Sequence, residues 1–137
     1  MVLSPPAAAP QEFGIARLKR RAEFLAVAGS GIKAVAPGVV LQARARPEGE
    51  VGHAVRVGFT ATRKLGGAVI RNRARRRLKE AAREALPLAG RPGCDYVLIA
   101  RAGTIERPYR LLVADLTTTL GAAARSMART DRERRQG

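Results

Sequence analysis

The spacing of apolar residues changes rhythm several times along the chain, and each change marks an element. From Arg20 to Ala28, Phe24, Val27 and Ala28 recur at the i, i+3, i+4 spacing of one helix face, and Gly29-Ser30-Gly31 ends the pattern. After Pro37-Gly38 the period becomes two. Val39, Leu41 and Ala43 alternate with Val40, Gln42, Arg44 and Arg46, predicting a strand over Val39–Arg46. Pro47-Glu48-Gly49-Glu50 reads as a turn. Ala54–Thr62 repeats the alternation, with Val55, Val57, Phe59 and Ala61 on one face and Arg56, Gly58, Thr60 and Thr62 on the other. One apolar and one polar face predict a sheet covered on one side only, its open face showing Gln42, Arg44, Arg56 and Thr60.

Helical spacing returns from Ala68 to Leu86. Ile70, Ala74, Leu78, Ala81 and Ala85 fall within an arc of about 80°, with Arg73, Arg75, Arg76, Lys79 and Arg83 opposite. Pro87 is expected to stop this helix. The unbroken run Tyr96–Ala100 makes Asp95–Arg101 a buried strand. A last helix starts from Pro108, a good first-turn residue, and turns Tyr109, Leu112, Val113, Leu116 and Leu120 inward. The order is therefore helix, strand, strand, helix, strand, helix. Residues 1–14, rich in Pro and Ala, are expected to form a flexible tail. Residues 125–137, alternating Arg with polar and acidic residues, are expected to form another, leaving a single domain over 15–124.

Charge changes the picture from fold to partner. The chain carries 26 Lys+Arg against 11 Asp+Glu, a formal net charge of +15, with 46% hydrophobic residues and one cysteine. Ordinary hydrophobic content argues for a folded domain, and the lone cysteine excludes a disulfide framework or a cysteine-rich zinc module. Such a surplus of charge repels itself unless a polyanion neutralises it, which points to nucleic acid. No run approaches a membrane span, and MVLSPPAAAP lacks the basic-then-apolar order of a signal peptide, so a soluble cytoplasmic protein is expected. Between Arg63 and Arg83 the basic residues include Arg71, Arg73, Arg75, Arg76 and Lys79, and Glu80 is the one acid. A merely solvated helix face mixes signs to gain i,i+4 pairs; this one repels itself along its length. Arg71-Asn72-Arg73 stands near the helix N-terminus, where unpaired N–H groups and the helix dipole favour phosphate, and Gly66-Gly67 precedes it.

These residues are familiar as a set. Val55–Thr60, Thr62-Arg63-Lys64-Leu65-Gly66, Ala68–Arg73 and the continuation Ala74–Glu80 resemble the protein component of bacterial ribonuclease P. Arg17-Leu18-Lys19 with Glu23-Phe24, and Asp95–Arg101, fit the same family, so the resemblance covers about residues 15 to 123. It implies an α+β or α/β sandwich, one sheet with helices packed on it and a left-handed crossover, an uncommon hand for such units. It also implies a protein without catalytic residues. A catalytic RNA subunit holds Mg2+ and cleaves the 5′ leader from precursor tRNA, and the protein binds that RNA and the leader. Carried onto matching positions, Arg71, Asn72, Arg73, Arg75, Arg76 and Lys79 contact RNA near the cleavage site. Phe24, Gln42, Arg56, Thr60, Arg63 and Lys64 line or flank a leader cleft between the first helix and the sheet. The resemblance names no membrane and no small-molecule substrate as partners. Two positions depart from the pattern: Ala28 and Gln42 stand where the family often has aromatics, leaving Phe24 as the one stacking ring.

Other reactive residues read blandly. His53 has no companion for general-base work, and Cys94 has no histidine context, so it reads as a small loop or strand-edge residue. Asp95 and Asp115 are isolated carboxylates expected at the surface or as caps. Phe24 admits two readings, a core residue of a short helix or a half-exposed ring in the cleft. A structural RNA-binding protein of ribosomal type shares the charge and is the rival reading. A protein-only nuclease would need a metal-holding cluster that the sequence does not offer.

Overall fold

Strand alternation and the two helical stripes meet in one core. The computed structural model describes residues 15–47 and 52–136. In chain order these are β1 (Ile15–Arg17), α1 (Arg21–Gly29), β2 (Ile32–Ala36), β3 (Val39–Ala45) and β4 (Val55–Thr60). A 3-10 turn (Arg63–Leu65) leads to α2 (Ala68–Ala89), then β5 (Cys94–Ile99), α3 (Ala102–Glu106) and α4 (Tyr109–Gln136). The chain is α+β, with one mixed five-stranded sheet in the order β1-β4-β5-β3-β2. β4 runs parallel to both β1 and β5, while β3 is antiparallel to β5 and to β2. On one face Val39, Leu41, Ala43, Val55, Val57, Tyr96 and Leu98 are buried against the stripes of the two long helices. Ala74, Leu78, Ala81 and Ala85 come from α2, and Leu112, Leu116 and Leu120 from α4.

Several expectations need correction. β1, β2 and α3 were not anticipated: β1 is three exposed residues, β2 is a half-exposed edge strand, and α3 is a single turn. Pro87 does not stop α2, which runs on to Ala89 and closes with Gly90 N–H donating to Leu86 O at 2.8 Å. A proline so near the end deprives few later turns, so the helix tolerates it. Ile70 heads the stripe but is 42% exposed, one of three exposed residues, 68–70, in the first turn of α2. The expected tail from Arg125 is helical as far as Gln136. The stripe of Leu112, Leu116 and Leu120 continues through Ala123 to Met127, whose sulfur lies 3.8 Å from Cys94 Sγ. The expected tail over 1–14 and most of the turn at Pro47–Glu50 lie outside the described residues.

The β2–β3 turn is locked to the helical layer by close backbone contact. Gly38 N–H donates to Asp115 Oδ2 at 2.9 Å, and Thr104 Oγ1 donates to Gly38 O at 2.6 Å. A Cβ on Gly103 would lie 2.1 Å from Pro37 O, a backbone atom that cannot step aside. Gly103→Ala is therefore expected to cost about 1–3 kcal/mol, the usual range for overpacking. A chemical-denaturation midpoint unchanged in this variant would refute the close contact.

Candidate nucleic-acid interface

The strand register arranges the second sheet face in three cross-strand rows. Arg56, Asp95 and Arg44 form one; Gly58, Val97, Gln42 and Lys33 the next; Thr60, Ile99, Val40 and Val35 the third. The expectation of an open face is corrected here, because α1 lies across the middle row. Val27 and Leu18 bury Val97, and the Phe24 ring sits where a Cβ on Gly58 would come within 2.5 Å of it. Glycine at 58 is the gap in the sheet that admits the ring. Phe24 remains half-buried, packed with Ile99 along the side of this small core. Ala28, one turn further along the same flank, is exposed.

The cleft residues therefore divide. Gln42 is half-exposed on the middle row, Phe24 packs beside Ile99 of the third row, and Thr60 belongs to that third row. Val35 on that row is 58% exposed, a free aliphatic floor. Arg63 and Lys64 are exposed on the 3-10 turn that follows Thr60 and Thr62. Arg56 is not with them. Its Nε and Nη2 donate to the two oxygens of Asp95 at 2.8 and 2.7 Å, and its Nη1 donates to Glu23 at 3.0 Å on the other flank of the helix. Asp95, expected at the surface, is fully buried, and Arg44 and Arg46 approach it as well, at 3.7 and 2.5 Å. A bidentate guanidinium–carboxylate pair is among the stronger charge-assisted contacts. The cluster anchors α1 to the sheet.

Glu23 is the link in that anchor. The backbone N–H groups of Arg20 and Lys19 hold its carboxyl below the ordinary value of 4.5, and Arg56 adds to the effect. A lowered folded pKa means that the carboxylate stabilises the fold above pH 4.5 and that this contribution disappears as pH falls through the folded value. Glu23→Gln is expected to remove that acid-sensitive part of the melting profile and leave the neutral-to-alkaline part parallel to wild type. Identical acid limbs in the two proteins would exclude Glu23 as the link.

The basic face of α2 is the other component. Arg73 and Arg76 are exposed and Arg75 and Lys79 half-exposed, while Arg75 donates to Asn72 Oδ1 at 2.8 Å. Among the described residues none of Arg73, Arg75, Arg76 and Lys79 has an ion-pair partner. Arg71 Nη1 lies 3.4 Å from Gly66 O, folding its side chain back over the loop. Gly66 has φ 150°, and Gly67 at the N-cap supplies no side-chain bond, so the N–H groups of the exposed first turn face solvent. Arg77 belongs elsewhere: it donates to Thr104 O at 2.8 Å and to Arg107 O, tying α2 to α3.

The remaining reactive residues are structural. His53 is exposed, and its carbonyl accepts from Gly93 N–H at 2.8 Å. Cys94 is buried at the start of β5, and burial pushes its thiol pKa up. Asp115 is buried too, accepting from Gly38 N–H and pairing with Arg107 at 2.7 Å. Both buried aspartates are thus occupied by arginines, and no three His, Cys, Asp or Glu residues gather around a possible ion among the described residues. No helix among the described residues is long and apolar enough to cross a membrane.

A mixed sheet layered by helices, with an arginine-rich helix face beside a glycine loop, defines a basic α+β RNA-binding domain. The profile of the ribonuclease P family matches residues 15–124. The ribonuclease P protein component of Paramagnetospirillum magneticum is 49% identical over 105 residues, covering 76% of this chain and 79% of that protein. The Caulobacter vibrioides protein of the same name is 48% identical over 124 residues, covering 90% of this chain and 80% of its own. The solved ribonuclease P protein from Thermotoga maritima superposes with a TM-score of 0.63 at 25% identity, covering 76% of this chain and 94% of that one. This chain belongs to the bacterial ribonuclease P protein family, whose members are RNA-binding proteins of tRNA processing.

Proposed function

We propose that the chain is the protein subunit of a ribonuclease P whose chemistry resides in its RNA. In this reading the exposed face of Arg73, Arg75, Arg76 and Lys79, with Arg71 and Asn72, binds the catalytic RNA subunit and the substrate near the cleavage site. The run of cations along that face, none with an ion-pair partner among the described residues, is the observation that carries the reading, since such a face is stabilised by polyanion. The flank of α1 with Phe24, Gln42 and Thr60 holds the 5′ leader of precursor tRNA, and Arg63 and Lys64 supply charge at its mouth. Arg56 acts indirectly, positioning α1 through Glu23 and Asp95. Mg2+ is held by the RNA; the two buried aspartates of this chain, Asp95 and Asp115, are already paired with arginines. The assembly works in the cytoplasm, where its RNA and precursor tRNA are.

The test reconstitutes the purified chain with the ribonuclease P RNA of the same genome, a divalent metal and a precursor tRNA. The chain alone is expected to cleave nothing. Adding it to the RNA should raise cleavage at the mature 5′ end at low salt. Cleavage by RNA-free protein would overturn the reading, and no effect on the RNA's activity would favour the ribosomal-type alternative.

A further inference from the structure

A second concavity lies on the opposite face from α1, between the edge strand β1 and the C-terminal half of α2. It has a volume of about 370 Å³, within the size range of small-ligand sites. Its walls are apolar, with Ile15, Phe59 and Pro87 facing the space, and three cations stand around it, Arg17, Lys79 and Arg83. Ile15 is 44% exposed, so the apolar wall is open to solvent. The Arg17 guanidinium lies over the Phe59 ring, 5.0 Å from its centroid. Arg83 has an exposed pair with Glu80 at 3.0 Å, a contact of little net worth in water. Neither Arg17 nor Lys79 has an acidic partner among the described residues.

We infer that this groove takes one unpaired nucleotide of RNA, with its base against Phe59 and Arg17 and its phosphates on Lys79 and Arg83. An apolar wall suits a base, and unpaired bases stack on aromatic rings and on arginine planes alike. Three cations around a small apolar space match an anion that carries a flat ring. Continuity selects RNA among such ligands. Arg76, Lys79 and Arg83 follow one another at i, i+3, i+7 along a single ridge of α2, leading from the arginine-rich first turns into the groove. A strand lying along that ridge delivers its next nucleotides to the groove. The inference rests on the RNA-subunit reading and extends the contact to a part of the protein remote from the leader flank of α1.

The experiment uses the full chain assembled with the ribonuclease P RNA of the same genome. A photo-reactive benzophenone amino acid replaces Arg83, whose side chain is 74% exposed, and complex formation is followed separately by filter binding. Irradiation is expected to join the protein to one short, unpaired RNA segment. Arg17→Glu should abolish that crosslink at saturating RNA, and Phe59→Leu should weaken RNA binding about tenfold with a melting curve near wild type. Crosslinks that spread over the whole RNA, that join Arg83 to a protein segment, or that persist unchanged with Arg17→Glu overturn the site while leaving the subunit reading intact. Failure of any complex to form overturns the subunit reading itself.

Discussion

Changing Arg71, Arg73 and Arg76 together to Ala is expected to lower affinity for the ribonuclease P RNA by about two orders of magnitude near 0.1 M salt. Each phosphate contact contributes a slope of roughly −0.7 to −0.9 in log K against log salt, so the plot should flatten by about two to three units. Arg73 and Arg76 are exposed and have no ion-pair partner among the described residues, and the Arg71 guanidinium lies against the Gly66 carbonyl. Ala has a higher helix propensity than Arg, and the buried stripe of Ala74, Leu78, Ala81 and Ala85 is untouched, so α2 should keep its stability. Relief of repulsion along the helix should even raise it slightly. Salt titration of binding beside a melting curve separates the outcomes. A flattened slope with an unaltered melt locates the phosphates on this face; an unchanged slope moves them elsewhere.

How much of this was legible in the sequence depends on whether the signal was local. The core face needed only the period-two runs of β3 and β4 and the stripes of α2 and α4, each visible within a dozen residues. The helical end of α4 was legible too, because Ala123 and Met127 continue the stripe from Leu112 at helical spacing. The arginines between them pulled the reading toward a tail, although they occupy the solvent side. The covering of the second sheet face had a quieter signal. Val97 sits in an apolar run with no polar face, and Gly58 interrupts the polar side of β4, so both faces needed a cover. The basic face of α2 was plain from charge alone. The role of Arg56 was not, for charged residues alternating along a strand look solvent-facing until register is known. Only the pairing of Arg56 and Arg44 with Asp95 across three strands brings the cluster together. No local pattern encodes it.

Removing the carboxylate at the centre of that cluster tests it most severely. Asp95→Ala is expected to destabilise the fold by about 3–5 kcal/mol, the usual effect of breaking a buried ion pair from one side. For a domain of this size the melting temperature should fall by roughly 10 °C or more. The Asp95 side chain is 1% exposed and that of Arg46 3%, so water cannot replace what the mutation removes. Arg46 also donates to Ala54 O at 2.6 Å and approaches Gly52 O at 3.2 Å, which keeps its charge fixed beside β4 after its counter-ion has gone. Arg44 and Arg56, each about a quarter exposed, can turn outward, and when Arg56 does so Glu23 loses its hold on the sheet. The loss should therefore have two parts, a global fall in stability and a preferential loosening of α1. Amide exchange would show the second as faster exchange in Arg21–Gly29 than in α4. Asp95→Asn, which keeps an acceptor without the charge, should lose less, and Arg46→Met in the Asp95→Ala background should recover stability by removing the stranded cation. A melt within a degree or two of wild type for Asp95→Ala would show that the three arginines do not need their common carboxylate.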